Sequence, residues 1–303
     1  MEKSIALLIL PRNPGCNHFC AMKFTGERFI PNDDVDMQLS YEHEHRYEYV
    51  ISLVRGKKVL DIASGEGYGS VAIAGSASEV IGVDIDPEAI QHATEKYKDY
   101  ANLHFKVGSV TDIPLDDHSV DVAVSFETIE HIAEHDQMIN ELKRVVKKDG
   151  IVIISTPDKK VYTDESGVVN KFHVKELYKD EFSDLLKKRF SHVELCGQRF
   201  LTLSSILPIV SEDPVADNLV ISGQFPEAHS MYIIAICSDS EIDKSRLKKS
   251  LYFNPGMDLY AKDKATLSWA SSVHNELMQS QKDYFRLERE YLALKESIQS
   301  KDE

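Results

Sequence analysis

The chain has 303 residues, 42% of them hydrophobic and 28% charged, and 35 Lys and Arg against 50 Asp and Glu leave a net charge of −15. That length allows a sizeable core, while no apolar run reaches the ~18–20 residues of a membrane span, which excludes an integral membrane segment. The acidity argues against a broad electrostatic grip on nucleic acid or on an anionic bilayer, and four scattered cysteines (Cys16, Cys20, Cys196, Cys237) point to a reducing, cytoplasmic setting without a disulfide scaffold.

Residues 1–22 read as a leader: the apolar stretch Ser4–Leu10 is shorter than a signal-peptide core and runs into Pro11, Pro14 and Gly15, and Met22 is a candidate start. A domain over 23–238 follows. Tyr41–Val54 reads as a helix, Lys58–Ala63 as a strand, then a helix opens near Tyr68 and a strand covers Val80–Asp84. Asp86-Pro87-Glu88 opens another helix, with Asp86 as N-cap and Pro87 where its missing N–H costs nothing. Further strands are expected at Leu103–Val107, Val120–Ser125, Ile151–Ser155, His192–Leu195 and Ser230–Cys237. Apolar strands alternating with helices predict an α/β fold with a parallel sheet covered on both faces. Residues 239–265, polar and broken by Asn254-Pro255-Gly256, read as a linker or a loosely packed hairpin. Over 266–303, Ala270, Val273, Leu277, Ser280, Tyr284, Leu287, Tyr291, Leu294 and Ile298 recur at steps of three and four, the seam of a coiled coil that would make a homo-oligomer or dock a partner protein.

In such a sheet ligands bind at the carboxyl ends of the strands. There the first strand runs into Asp61-Ile62-Ala63-Ser64-Gly65-Glu66-Gly67-Tyr68-Gly69, whose glycines let a ligand approach the backbone. Asp84 ends the next strand 19 residues after Gly65, about the spacing at which an acid meets the hydroxyls of an adenosine ribose. Glu66 inside the turn opposes a phosphate, so a cationic sulfonium suits the site better than a dinucleotide.

Together with Gly108-Ser109-Val110, Asp121–Phe126 and Leu142–Thr156, these segments resemble the class I S-adenosylmethionine-dependent methyltransferases. The resemblance implies a Rossmann-like seven-stranded sheet. It also implies that Ala63, Gly65 and Gly67 lie against the methionine part, with Asp61 near its amino group. Asp84 would take the ribose, Ile85 the adenine face, and Ser109 with Val110 the adenine edge. Ser125 would end the fourth strand beside the cofactor. The family often has Asp where this chain has Ser109, which shifts the adenine bond to a water or to Asp112. Arg46, on a helix where the family often places a lid, would pair with the methionine carboxylate, and His45 or Tyr47 would face the acceptor.

After the fourth strand, Glu127, Glu130 and His131 stand at i, i+3 and i+4, one face if the segment is helical. With His173 they form a candidate site for Mg²⁺ or another divalent cation; unmetallated, His131 is a candidate general base, with Glu127 as its catalytic companion, and a plain solvated face is the third reading. Glu-x-x-Glu-His with a downstream His resembles metal-dependent RNA 2′-O-methyltransferases and ubiquinone-pathway O-methyltransferases. Phe24–Pro31, Ile62–Gly69, Ser125–His131 and Phe172–Leu177 together resemble bacterial methyltransferases of cell-surface polysaccharide biosynthesis. That closer likeness implies O-methylation of a carbohydrate acceptor; RNA ends, phenols or quinols, and a non-enzymatic scaffold are the alternatives. Phe24–Pro31 and Leu201–Glu227 are candidates to shape the acceptor cleft.

Overall fold

The structure, a computed structural model, describes residues 37–201, 230–252 and 259–299. The expectations for 1–22, for Phe24–Pro31 and for nearly all of Leu201–Glu227 lie outside the described residues.

Seven strands, β1 (Lys58–Ile62), β2 (Glu79–Asp84), β3 (Leu103–Val107), β4 (Val120–Ser125), β5 (Val146–Pro157), β6 (His192–Gln198) and β7 (Tyr232–Ser238), form one sheet in the order β3-β2-β1-β4-β5-β7-β6. Strand alternation puts successive side chains on opposite faces, and both faces are apolar. Leu60, Ile62, Val152, Ile154, Ile233 and Ala235 meet helices α4 (His135–Val145) and α5 (Lys179–Lys187) on one side. Val59, Val122, Val124, Ile153, Ile234 and Ile236 meet α1 (Met37–Val54) and α2 (Tyr68–Ala74) on the other. That two-sided burial is why these strands read as near-continuous apolar runs. α3 (Pro87–Lys96) is capped as expected: the Asp86 carboxylate accepts the Glu88 N–H at 2.8 Å, and Pro87 occupies the first turn.

The expectation of an all-parallel sheet fails at one strand. β7 runs antiparallel to both β5 and β6. A chain that reverses beside its predecessor needs no crossover helix, and apolar content alone does not report strand direction. The order reverses between β1 and β4, which opens the crevice where α/β sheets bind ligands.

Residues 239–252, expected to be part of a linker, are not free of the domain: Ile242 is buried in the core under α1, and Arg246 donates to the carbonyls of Ser52 and Leu53 at 2.6 and 3.2 Å. The C-terminal helix α6 (Leu259–Gln299) starts seven residues before the expected 266 and is 41 residues long. Leu277, Tyr284, Leu287 and Tyr291 on it are all more than half exposed.

Candidate active site

The carboxyl ends of β1, β2 and β4 carry the expected turn. Ala63, Gly65 and Gly67 all take left-handed φ values, 63, 54 and 80°. A side chain at Gly67 would meet the Phe105 ring as well as that strained φ, so glycine is required there. Asp84, buried at the end of β2, reaches across the turn: its carboxylate accepts the Gly65 N–H at 2.8 Å and the Asp86 N–H at 3.0 Å. A carboxylate offers about four acceptor positions, so these two bonds lock it in place without exhausting it.

Asp61 is buried on β1, where it accepts from Ser70 Oγ at 2.6 Å and from the Tyr47 hydroxyl at 3.3 Å. Burial pushes its carboxyl up to about 7; the two hydroxyl donors pull it back, and the Asp84 charge adds to the rise. Glu66 does not face the ligand crevice as a bare charge. It is buried against α3, with His92 Nε2 at 3.7 Å and Lys96 Nζ at 3.9 Å, so its repulsion of a phosphate is weaker than the sequence implied.

Arg46 is the largest of the fully buried side chains. Its Nη1 donates to Gln198 Oε1 at 2.7 Å and lies 3.9 Å from Glu127 Oε1, and its guanidinium sits over the Tyr232 ring. Among the described residues its buried Nε and Nη2 have no hydrogen-bond partner, nor do Ser64 Oγ and Ser125 Oγ. Buried donors without partners are costly, and a guanidinium fork left half-unused matches a carboxylate. Tyr47 reaches the cleft through Asp61, whereas His45 does not. It turns away, onto Ser250 (3.0 Å) and a stack with Tyr252, which corrects the expectation that it faces the acceptor.

On the adenine side Ile85 is 71% exposed, a lone apolar face at the rim. Ser109 closes its own loop, its hydroxyl bonded to Thr111 Oγ1 at 2.8 Å and accepting the Thr111 N–H, while Val110 packs inward against the core.

The acceptor side corrects the helical reading. Glu127 has a φ of 50°, and only a single 3₁₀ turn, Ile129–His131, follows before α4. The left-handed residue swings Glu127 out of the expected set. It accepts from Ser155 Oγ at 2.5 Å and faces Arg46. Glu130, His131 and His173 do converge, each offering a ligand atom within 4.8 Å of the others. His131 Nδ1 lies 3.1 Å from the Phe172 carbonyl; an oxygen that only accepts requires N–H at Nδ1, which leaves the lone pair on Nε2, 3.8 Å from Glu130 Oε1. Burial, with the Glu127 charge behind it, holds the Glu130 carboxyl well above the usual carboxylate range. His173 has both nitrogens engaged, Nδ1 with Glu176 Oε1 at 2.5 Å and Nε2 with Asn170 Nδ2 at 3.0 Å.

Several supporting residues escaped the sequence reading: Gln198, Tyr232, Ser155, Glu176 and the Phe172 carbonyl. Glu176 is three residues from His173, and the others lie 28 to 186 residues from the groups they hold. Ser70, nine residues from Asp61 at the mouth of α2, was the nearest to being found from spacing.

The family model described as "Methyltransferase domain" matches residues 53–201, the span holding the turn, Asp84 and the histidine cluster. A probable S-adenosylmethionine-dependent methyltransferase of Mycobacterium tuberculosis (strain H37Rv) is 33% identical over 178 residues, covering 58% of this chain and 64% of the relative. One of Mycolicibacterium smegmatis is 34% identical over 175 residues, covering 57% and 67%. The chain therefore spans less than two thirds of the length of the Mycobacterium tuberculosis relative. A Thermotoga maritima structure, described as a methyltransferase and possible histamine N-methyltransferase, covers 66% of this chain and 90% of its own at 19% identity and a TM-score of 0.49. With the crevice at the sheet's switch point, the left-handed turn and the acid locked across it, the family model and the Mycolicibacterium smegmatis relative, 67% of whose length is covered, place this chain in one family: it belongs to the class I S-adenosylmethionine-dependent methyltransferases.

Proposed function

We propose that the protein transfers a methyl group from S-adenosylmethionine to a hydroxyl of a carbohydrate, a surface polysaccharide or its precursor, with His131 as general base. One observation carries the choice of an oxygen acceptor: the Phe172 carbonyl, which can only accept, fixes the Nδ1–H tautomer of His131, so that its basic nitrogen is Nε2. An alcohol is a poor nucleophile near neutral pH unless a base takes its proton. S-adenosylmethionine, when bound, supplies an electrophilic methyl on sulfur. Asp84 would accept from its ribose hydroxyls, the Gly65–Gly67 backbone would lie along its methionine part, Asp61 would meet the amino group and Arg46 the carboxylate. His131 Nε2 would take the proton of the acceptor hydroxyl. The Tyr162 ring lies 5.2 Å from the His173 ring, and an aromatic wall with a few placed polar groups suits a ring-shaped acceptor.

The convergence of Glu130, His131 and His173 supports a second reading, in which a divalent cation occupies that cluster. Such an ion supplies Lewis acidity that makes the acceptor oxygen more anionic. The donor set fits it only partly. Glu127 stands apart with Ser155 and Arg46, and His173 must release Asn170 to ligate. We read the base mechanism as the better supported.

Self-association belongs to the same proposal: α6, ~60 Å long at 1.5 Å per residue, exposes an apolar stripe that a second copy would cover. The test of function is mass spectrometry of surface glycans from a strain lacking this protein. Loss of a methyl group from one sugar is expected, and an unchanged methylation pattern sinks the carbohydrate reading.

A further inference from the structure

Residues 242–252, which follow β7, touch α1 on the side opposite the crevice. Tyr41, Glu44 and His45 stand at i, i+3 and i+4, one face of the helix. Tyr252 covers that face: its hydroxyl donates to Glu44 Oε2 at 2.6 Å, its ring stacks on His45 with centroids 5.5 Å apart, and it meets Tyr41 edge-on at 5.1 Å. Ser250 Oγ adds a bond to His45 Nε2 at 3.0 Å. At the end of α1, where the last carbonyls of any helix lack intrahelical partners, the Arg246 guanidinium donates to those of Ser52 and Leu53. A cation at a helix C-terminus also complements the helix dipole. Ile242, buried under the same helix, anchors the start of the segment.

The other face of α1 carries His43, Arg46, Tyr47 and Val50, again at helical spacing. His43 bonds the Tyr68 hydroxyl at 2.6 Å, Tyr47 bonds Asp61, and Arg46 presents its unpartnered guanidinium atoms beside Glu127. One rigid helix thus joins two contacts: residues 242–252 on its outside and the wall of the cofactor crevice on its inside.

We infer that residues 242–252 are a strap that positions α1, so that Tyr252 and Arg246 set cofactor affinity without touching the cofactor. They are positioning residues, and the inference rests on the assignment of Arg46, and of Asp61 held by Tyr47, to the cofactor. If the crevice binds only while α1 is docked, apparent affinity scales with the docked fraction. Loosening the strap so that α1 is docked about one tenth of the time weakens binding about tenfold.

The experiment compares the full-length protein with Arg246→Ala/Tyr252→Ala, Tyr252→Phe and Lys249→Ala, the last an exposed position on the same segment. Calorimetry reads the affinity for S-adenosylhomocysteine, and hydrogen exchange reads the amides of 41–54 against those of β1, β4 and β5. The expected result has three parts: about tenfold weaker binding with faster exchange confined to α1 in the double variant, near-recovery in Tyr252→Phe, which keeps the ring stack, and no change in Lys249→Ala. Unchanged affinity in the double variant overturns the strap, as does protection lost evenly across the sheet, the mark of a merely structural role. If the unaltered protein binds no S-adenosylhomocysteine, the cofactor reading falls instead, and the exchange of α1 in the double variant still decides whether the strap holds the helix.

Discussion

Asp61→Asn isolates the least ordinary charge in the cofactor crevice. Asp61 is 1% exposed, and its carboxyl is raised from 3.8 to about 7, chiefly by burial. Because the folded-state value lies above the unfolded one, the native state holds this proton more tightly. That contribution to stability is fully present below about pH 4 and is lost as the pH rises to about 7. Each pH unit in that window corresponds to ~1.4 kcal/mol, so two units, from about pH 5 to about pH 7, amount to at most about 3 kcal/mol. Asn cannot ionise, so its stability relative to the unaltered protein should improve by up to that amount over the interval, read by urea unfolding at each pH. Ligand binding carries the opposite sign. If Asp61 holds a cationic amino group, only its ionised form does so well, and S-adenosylhomocysteine affinity should rise up to about tenfold per unit as the pH approaches 7, then level off. Calorimetry from about pH 5.5 to about pH 8.5 measures it. An affinity that is flat with pH in the unaltered protein, or an identical slope in Asp61→Asn, refutes the role given to this carboxylate.

Other outcomes follow from the same geometry. Gly67→Ala, which meets both the Phe105 ring and a φ of 80°, should destabilise by roughly 1–3 kcal/mol and abolish measurable cofactor binding; a normal melting temperature and affinity would contradict the strain argument. His131→Ala should lower methyl transfer by ~10²–10⁴-fold while leaving S-adenosylhomocysteine affinity within about twofold, and a larger loss of affinity than of turnover would move His131 out of the acceptor site. Under the base mechanism turnover persists in excess chelator; activity lost in chelator and restored by a divalent cation would promote the Glu130, His131 and His173 cluster to a metal site. Leu277→Asp/Leu287→Asp, on the exposed stripe of α6, should reduce the mass in solution to that of one chain by analytical ultracentrifugation, and an unchanged mass would count against self-association through this helix.

What local chemistry dictates was legible without coordinates. The inner strands fell where apolar runs lie, because burial on both faces leaves no polar alternation to blur them, while the edge strands β3 and β6 are only partly buried. Asp86 and Pro87 announced a helix start, and the glycines with Asp84 announced the crevice, because tight turns restrict residue type. Gly65, Gly67 and Asp84 were read from spacing, whereas Asp61 and Ala63 entered through the family resemblance. Long-range geometry decided the rest. β7 runs backwards because the chain reverses after β6, and no residue type encodes that choice. Glu127 left the expected cluster through a single left-handed φ, which an acidic side chain seldom adopts and a sequence pattern does not flag. The tautomer of His131 is set by a carbonyl 41 residues away, at Phe172. The raised carboxyl of Asp61 exists only because the folded sheet withdraws it from water, and the grip of Arg246 and Tyr252 on α1 spans about 200 residues of chain. Composition and periodicity report what a residue prefers beside its neighbours in sequence; desolvation and distant hydrogen-bond partners exist only once the chain has folded.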